Sequence, residues 1–327
     1  VSSNFNYRRR QLKFKQALKQ SEGRKVPLIS SIFGFPLPSE KTYMLIFKTV
    51  ADLQSWLRIK RRDQASIGFV PTMGALHNGH ISLVRLAKRA GETVVASIFV
   101  NPTQFNDPAD LEKYPRTPGR DLEMLLRANC DAVFMPSVEE VYPPGLDLRV
   151  QIDLFDLDKV LEGAFRPGHF EGMMTVVKRL LDIVQPDHLY MGQKDFQQLT
   201  IVANMIWQLR LDVQLIMVHT IRERDGLAMS SRNTRLSPEE RRLAPALYKT
   251  LEWVRRAVYV QPLQEVATAA FDRLTEAGFR PEYVEIVDGY SLQPVYSLSE
   301  TGMIVACAAA WLGNVRLIDN VVIKSDR

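Results

Sequence analysis

The sequence predicts an α/β protein in which a doubly wound parallel sheet is followed by a smaller C-terminal α+β unit. Three observations support this. From Met44 to about Thr220, short β-branched and apolar runs alternate with stretches of helical periodicity. Polar, glycine-bearing turns recur where those strands end, the place where open α/β sheets bind ligands. Beyond Ile221 the order changes to helices followed by consecutive strands. The expected divisions are residues 1–43, 44–220 and 221–327.

The elements follow in order. Ala51 to Arg62 reads as a helix, and Ile67, Phe69 and Val70 as a buried strand. Ile81, Leu83, Val84, Leu86 and Ala87 form the apolar stripe of the next helix, which runs to about Ala90. Thr93 to Val100 is a continuous apolar run and therefore a buried parallel strand. Arg120–Asn129 is the next helix and Asp131–Met135 the next strand, and Leu148 to Leu154 is strand-like. A polar loop at 166–172 precedes a helix from Met173 to Val184, a short strand at His188–Met191 and a buried strand from Asp212 to His219. Ser237 caps a long helix to Val258, and Leu263–Ala277 follows. Strands are then expected at Tyr283–Val287, Met303–Ala309 and Val315–Val321. The first part is thus Rossmann-like.

Composition narrows the function. The formal charge of +5 is concentrated in residues 1–43, which hold nine Lys/Arg and two acidic residues, so the body carries about −2. That does not suit a nucleic-acid surface and favours small-molecule ligands. The longest apolar runs, such as Met303–Leu312, are too short for a membrane-spanning helix. Cys130 and Cys307 are the only cysteines, giving neither a disulfide framework nor metal-ligand spacing and fitting a reducing compartment. Residues 1–43 read as a targeting peptide, a basic arm or an inert extension, and the start at Val1 suggests an unusual or processed end.

The chemistry centres on Phe69-Val70-Pro71-Thr72-Met73-Gly74-Ala75-Leu76-His77-Asn78-Gly79-His80. A strand turns through glycines and delivers two histidines to a helix start, where unpaired N–H groups and the helix dipole favour phosphate. His77 and His80, three residues apart, can share one face and aim imidazole donors at one anion. Gly79 would let a ligand approach the backbone. The bland alternative is a pair of capping or surface histidines.

Four further segments carry candidate groups. Asn101-Pro102-Thr103-Gln104-Phe105 offers amides suited to hydroxyls and a carboxylate, or is a plain Asn-Pro turn. Arg166 and His169 could meet anionic groups or lie in an exposed loop. Gly192-Gln193-Lys194-Asp195-Phe196-Gln197-Gln198 is a second strand–turn–helix in which Lys194 supplies a mobile charge for phosphate, or merely pairs with Asp195. In Met229-Ser230-Ser231-Arg232-Asn233, two hydroxyls and a guanidinium form a polyphosphate clamp, or an ordinary Ser-rich loop. His219 reads as a satisfied structural residue.

Taken together, these motifs resemble the pantoate–β-alanine ligase family of the HIGH-motif nucleotidylyltransferases. The resemblance spans residues 44–327 and rests on the segments 71–80, 101–105, 192–198 and 227–233 in the family's order. It implies ATP-dependent joining of pantoate and β-alanine, with release of AMP and pyrophosphate. It further implies that His77, His80, Lys194, Ser230 and Arg232 are catalytic. Pro71, Thr72, Met73, Gly74, Gly79, Gly192, Asp195, Ile221, Met229 and Ser231 would complete the ATP site. Gln104, Gln198, Asn101, Arg166 and His169 would hold pantoate or β-alanine. Asp121, after the Tyr114-Pro115-Arg116-Thr117 segment, would lie near Mg²⁺ and the phosphates. A cytoplasmic homodimer is implied, with 221–327 closing as a lid over 44–220. The chain departs from the family at Gln193, where glutamate is usual. Another adenylyltransferase of this fold, or a nucleotide-sensing protein with a nucleic-acid-binding arm, remain the rival readings.

Overall fold

A computed structural model of the chain describes residues 43–105, 111–112 and 114–325. The segment 1–42 and the three readings of it lie outside the described residues.

The first part contains β1 (Leu45–Phe47), α1 (Val50–Arg62), β2 (Ile67–Thr72), α2 (Asn78–Arg89), β3 (Thr93–Ile98), α3 (Pro118–Arg127) and β4 (Ala132–Phe134). Next come the short α4 (Val138–Val141) and α5 (Glu162–Phe165), then α6 (His169–Val184), β5 (His188–Gly192), α7 (Phe196–Leu209) and β6 (Gln214–Val218). The six strands form one parallel sheet in the order β1-β4-β3-β2-β5-β6. β2 therefore has β3 on one side and β5 on the other, and the strand order reverses between β2 and β5. The crevice beyond their carboxyl ends is the switch point at which such sheets bind ligands.

Strand alternation sets the layers. Phe69, Val95, Phe134 and Leu189 face one way, into a core with Leu53 and Leu57 of α1 and the apolar faces of α6 and α7. Val70, Val94, Ala96, Val133 and Tyr190 face the other way, against Ile81, Val84 and Ala87 of α2 and Leu125 of α3.

The second part comprises α8 (Pro238–Leu243), α9 (Ala246–Ala257), α10 (Leu263–Glu276), β7 (Arg280–Asp288), β8 (Ile304–Leu312) and β9 (Val315–Lys324). Its strands form an antiparallel sheet in the order β7-β8-β9. In β8, Ile304, Ala306, Ala308 and Ala310 pack on α9 and α10. The alternate residues Val305, Cys307 and Ala309 enter the core that holds α6 and α7. The small sheet thus shares apolar burial with the large one, and both are positioned by the same packing.

Four sequence expectations are corrected. Leu148–Leu154 is not a strand. Its apolar residues Val150, Ile152 and Leu154 pack on the core, while the Asp153 backbone bonds to the side chains of Gln208 and Asn204 on α7 instead of a neighbouring strand. β6 is an edge strand and only half-buried, so its apolar composition reflects one covered face. The long helix expected from Pro238 is two helices, because Pro245 has no N–H to continue the first. Finally, α6 begins four residues earlier than expected, at His169, with Gly168 at its N-cap in the left-handed conformation (φ 78°).

Candidate active site at the sheet switch point

The turn between β2 and α2 is built around its histidines. His77 is the N-cap of α2, and its Nδ1 accepts from Gly79 N–H at 3.1 Å. His80 closes a reciprocal capping box, with its Nδ1 accepting from His77 N–H at 3.3 Å. The capping alternative therefore holds, and it is compatible with the catalytic reading. An imidazole whose Nδ1 accepts carries its proton on Nε2, so each ring offers a neutral N–H donor on the edge away from the cap. The rings lie 4.1 Å apart and both line the cavity beyond the sheet. Burial holds the pKa of His77 down to about 4, helped by Lys194 and opposed by Asp195. Burial, His77 and Lys194 hold that of His80 down to about 3. Both are uncharged donors at neutral pH.

Gly79 lines the cavity and also makes room for the His77 ring. A Cβ there would lie 2.7 Å from His77 Cε1 and 2.8 Å from Nδ1, where the ring folds over the helix start. The preceding bend is held from below by Asp121, which is 1 % exposed. Its oxygens accept from Ala75 N–H (2.9 Å), Leu76 N–H (2.8 Å) and the Thr117 hydroxyl (2.9 Å). Asp121, the residue expected beside the metal, therefore holds the turn, with one bond to Oδ2 and two to Oδ1. Among the described residues, no group of three or more His, Cys, Asp or Glu side chains is arranged to hold a metal ion.

The cavity takes in Pro71, Thr72, Met73, Gly192, Lys194, Asp195 and Gln198, with Ile221, Met229, Ser230, Ser231 and Arg232 on its far side. Gly74 lies just behind, buried, with φ +80°. Ile221 and Met229 come together because residues 221–229 form a narrow hairpin, in which Met229 N–H donates to Ile221 C=O and Glu223 N–H to Leu227 C=O. Just beyond its base Ser230 caps a short 3₁₀ turn over Ser231–Arg235, accepting from Arg232 N–H at 3.3 Å. Asp195 is the one acidic side chain among the described residues lining this cavity.

Gln104 enters beside Met73. Asn101, 1 % exposed, has Oδ1 saturated by Thr103 N–H and hydroxyl and by the Tyr142 hydroxyl at 2.8 Å. Its Nδ2 therefore donates to Gln104 Oε1 (3.2 Å) and Gly172 C=O (3.3 Å). That turns Gln104 Nε2 outward, towards Met73 Sδ at 2.9 Å, so the side chain presents a donor. Asn101 thus sits beneath Gln104 and orients it.

Arg166 and His169 line an adjoining cleft, which meets the first cavity at Lys194, Asp195, Gln198, Ser230 and Arg232. His169 is buried at the start of α6, its Nδ1 2.9 Å from Gln104 C=O and its Nε2 3.3 Å from Arg166 Nη1. Burial and Arg166 lower its pKa to about 4, against the pull of the Gln104 carbonyl. Across the cleft, Arg316 of β9 forms a bidentate pair with Glu162 (2.6 and 2.8 Å), and Tyr283 donates to the same carboxylate at 2.7 Å. His219, at the end of β6, donates from Nδ1 to Gln193 Oε1 at 2.8 Å, which is the satisfied role expected of it.

Sequence reasoning missed Tyr142, Glu162, Arg316, Asp319 and Asn320. The one available signal was the group of polar residues Arg316, Asp319 and Asn320 inside a mostly apolar strand.

Comparison with known proteins agrees with this geometry. The family described as pantoate-beta-alanine ligase matches residues 45–322. The pantothenate synthetase of Porphyromonas gingivalis is 48 % identical over 281 residues, 85 % of this chain and 99 % of that one. The crystal structure of pantothenate synthetase from Thermus thermophilus superposes with a TM-score of 0.80 at 42 % identity, covering 86 % of this chain and 100 % of that one. The pantoate–β-alanine ligase of Francisella tularensis, complexed with β-γ ATP and β-alanine, superposes with a TM-score of 0.70 at 36 % identity, over 86 % of this chain and 98 % of that one. With a match over most of its length and the family's motifs gathered around one cavity, the chain belongs to the pantoate–β-alanine ligase family.

Proposed function

We propose that the groups assembled at the switch point carry out the family's reaction, the ATP-dependent condensation of pantoate with β-alanine in pantothenate biosynthesis. The observation that carries the assignment is the pair of neutral Nε2–H donors at the start of α2, sharing one cavity with Lys194 and the Ser230–Arg232 turn.

A pantoate carboxylate oxygen attacks the α-phosphorus of ATP, forming the acyl-adenylate as the α–β bridging bond breaks and pyrophosphate leaves. Negative charge builds on the α-phosphoryl oxygens and on the departing group. His77 and His80 donate to the former; Lys194, Ser230, Ser231 and Arg232 hold the latter. Donors already in place at such positions lower a barrier by about 3–4 kcal/mol each. The β-alanine amine then attacks the acyl carbon, AMP leaves and a proton is released. Gln104 Nε2 and Gln198 orient pantoate so that its carboxylate faces phosphorus. Residues 44–220 supply this floor and residues 221–327 the lid that brings the Ser230–Arg232 turn over it.

Mg²⁺ is assigned to the nucleotide rather than to a protein cage. The ion characteristically keeps water ligands and binds through phosphates and one or two carboxylates. Asp195 is the acidic side chain that lines the cavity, whereas Asp121 bonds to the turn behind it. A homodimer and a cytoplasmic location are proposed on family grounds. Cys130 and Cys307 are buried thiols that form no disulfide, which suits a reducing compartment. No helix of the described residues is long and apolar enough to cross a membrane.

The test is product analysis with ATP, Mg²⁺ and pantoate, with and without β-alanine. AMP and pyrophosphate should form, with sustained turnover only when both substrates are present. ADP formation, or indifference to pantoate, would refute the assignment. His80→Ala should lower kcat by about 10²–10³-fold, and unchanged turnover would remove that residue from the mechanism.

A further inference from the structure

Lys194 sits on a 3₁₀ turn, Gln193–Asp195, a geometry with poorer internal hydrogen bonds than an α-helix. Something outside the turn holds it. Asn320, in β9 and 2 % exposed, donates from Nδ2 to the backbone carbonyls of Gln193 (3.0 Å) and Lys194 (2.9 Å). Two carbonyl acceptors fix which end of that amide is nitrogen, so its Oδ1 requires a donor. Gln193 supplies one, its Nε2 lying 3.0 Å from Asn320 Oδ1. Gln193 Oε1 then faces away and receives His219 Nδ1. A glutamate at 193 would set carboxylate oxygen against Asn320 Oδ1, acceptor against acceptor. The amide in this chain is the side chain its own network requires.

The neighbouring residue does a parallel job. Asp319, 3 % exposed, takes a bidentate bond from Arg222 (2.5 and 3.0 Å), and Arg222 stands at the base of the hairpin that carries Ser230–Arg232. Two consecutive residues of one edge strand therefore fix the two cationic elements that meet at the cavity.

We propose that Asn320, locked by Gln193, is a positioning residue for Lys194, so that the C-terminal sheet sets where the lysine's charge meets the nucleotide phosphates. The inference rests on the reading of Lys194 as a phosphate contact. Lysine is a point charge on a flexible stem, so its aim depends on where its backbone is held. Displacement of a catalytic group by about 1 Å can cost on the order of 100-fold in rate.

The test measures binding of ATP and of adenosine by calorimetry, and turnover with pantoate and β-alanine, in wild type, Asn320→Ala, Lys194→Ala and the double variant. Asn320→Ala should weaken ATP about tenfold while leaving adenosine within about twofold, because only the phosphates meet Lys194. It should lower kcat by about tenfold or more with little change in the pantoate KM. In the Lys194→Ala background the same substitution should add less than about twofold, the mark of residues acting as one unit. Equal losses for ATP and adenosine, or equal losses in both backgrounds, would show a merely structural role and overturn the proposal. If Asn320→Ala fails to fold, Asn320→Asp, which replaces the Nδ2 donor with an oxygen, takes its place with the same expectations and the same refuting results. A wild-type enzyme that binds ATP but makes no AMP from pantoate refutes the functional assignment instead, and the ATP–adenosine contrast still decides the role of Asn320.

Discussion

Asp121→Asn separates a structural carboxylate from a metal ligand. In the wild type, three donors converge on the two oxygens at 2.8–2.9 Å. They stabilise a turn in which Ala75 holds a positive φ of 48°, a conformation that costs a non-glycine residue about 1 kcal/mol or more. Asparagine keeps the shape but turns one oxygen into an NH₂ that faces a backbone N–H, donor against donor. The loss comprises one charge-assisted hydrogen bond, about 1.5–3 kcal/mol, and a buried N–H left unsatisfied, about 1–3 kcal/mol. The two overlap, so about 2–4 kcal/mol is expected. At roughly 2–4 °C per kcal/mol for domains of this order of size, Tm should fall by roughly 4–16 °C. The assay is thermal unfolding in EDTA without nucleotide, alongside the Mg²⁺ dependence of turnover. A Tm unchanged in EDTA together with a raised Mg²⁺ requirement would refute the turn-holding role and restore Asp121 as a ligand.

Further expectations follow from the same geometry. Gly79→Ala should push the His77 ring off the cap, costing about 1 kcal/mol of stability and about tenfold in kcat; unchanged turnover would show that the ring need not lie there. Tyr142→Phe removes one of three donors to Asn101 Oδ1, a loss of about 1 kcal/mol, so the pantoate KM should rise about fivefold with kcat nearly unchanged. A fall in kcat with constant KM would contradict the orienting chain from Tyr142 to Gln104. The histidines fix the acid behaviour. His77, His80 and His169 are held neutral, at about 4, 3 and 4, against an ordinary value of 6.5. The unfolded chain therefore binds more protons, and the stability they confer is full above pH 6.5 and is lost as pH falls towards 4. Activity should persist to about pH 5 and then fail together with unfolding monitored by fluorescence. A reversible acid limb near 6.5 that His77→Gln abolishes would show instead that His77 titrates as an ordinary histidine.

The sequence by itself determined what local pattern can specify. Alternating apolar runs and helical stripes located β2, α2, β3 and β5, and strand–turn–helix signals placed His77, His80 and Lys194 at strand ends. It failed where long-range partners decide. Leu148–Leu154 has the composition of a strand but is bonded by side chains of α7, over fifty positions away in sequence. Asp121 has the chemistry of a metal ligand, and only the folded turn shows that its oxygens also accept from Ala75 and Leu76 N–H. Asn320 is 126 residues from Lys194, a separation at which no periodicity or spacing carries information, and their contact exists because β9 packs its edge on the turn. The residue types that perform the chemistry are chosen by their donors and charges and can be read one segment at a time. Their aim is set by hydrogen bonds between segments, and those exist only once both sheets have shared a core.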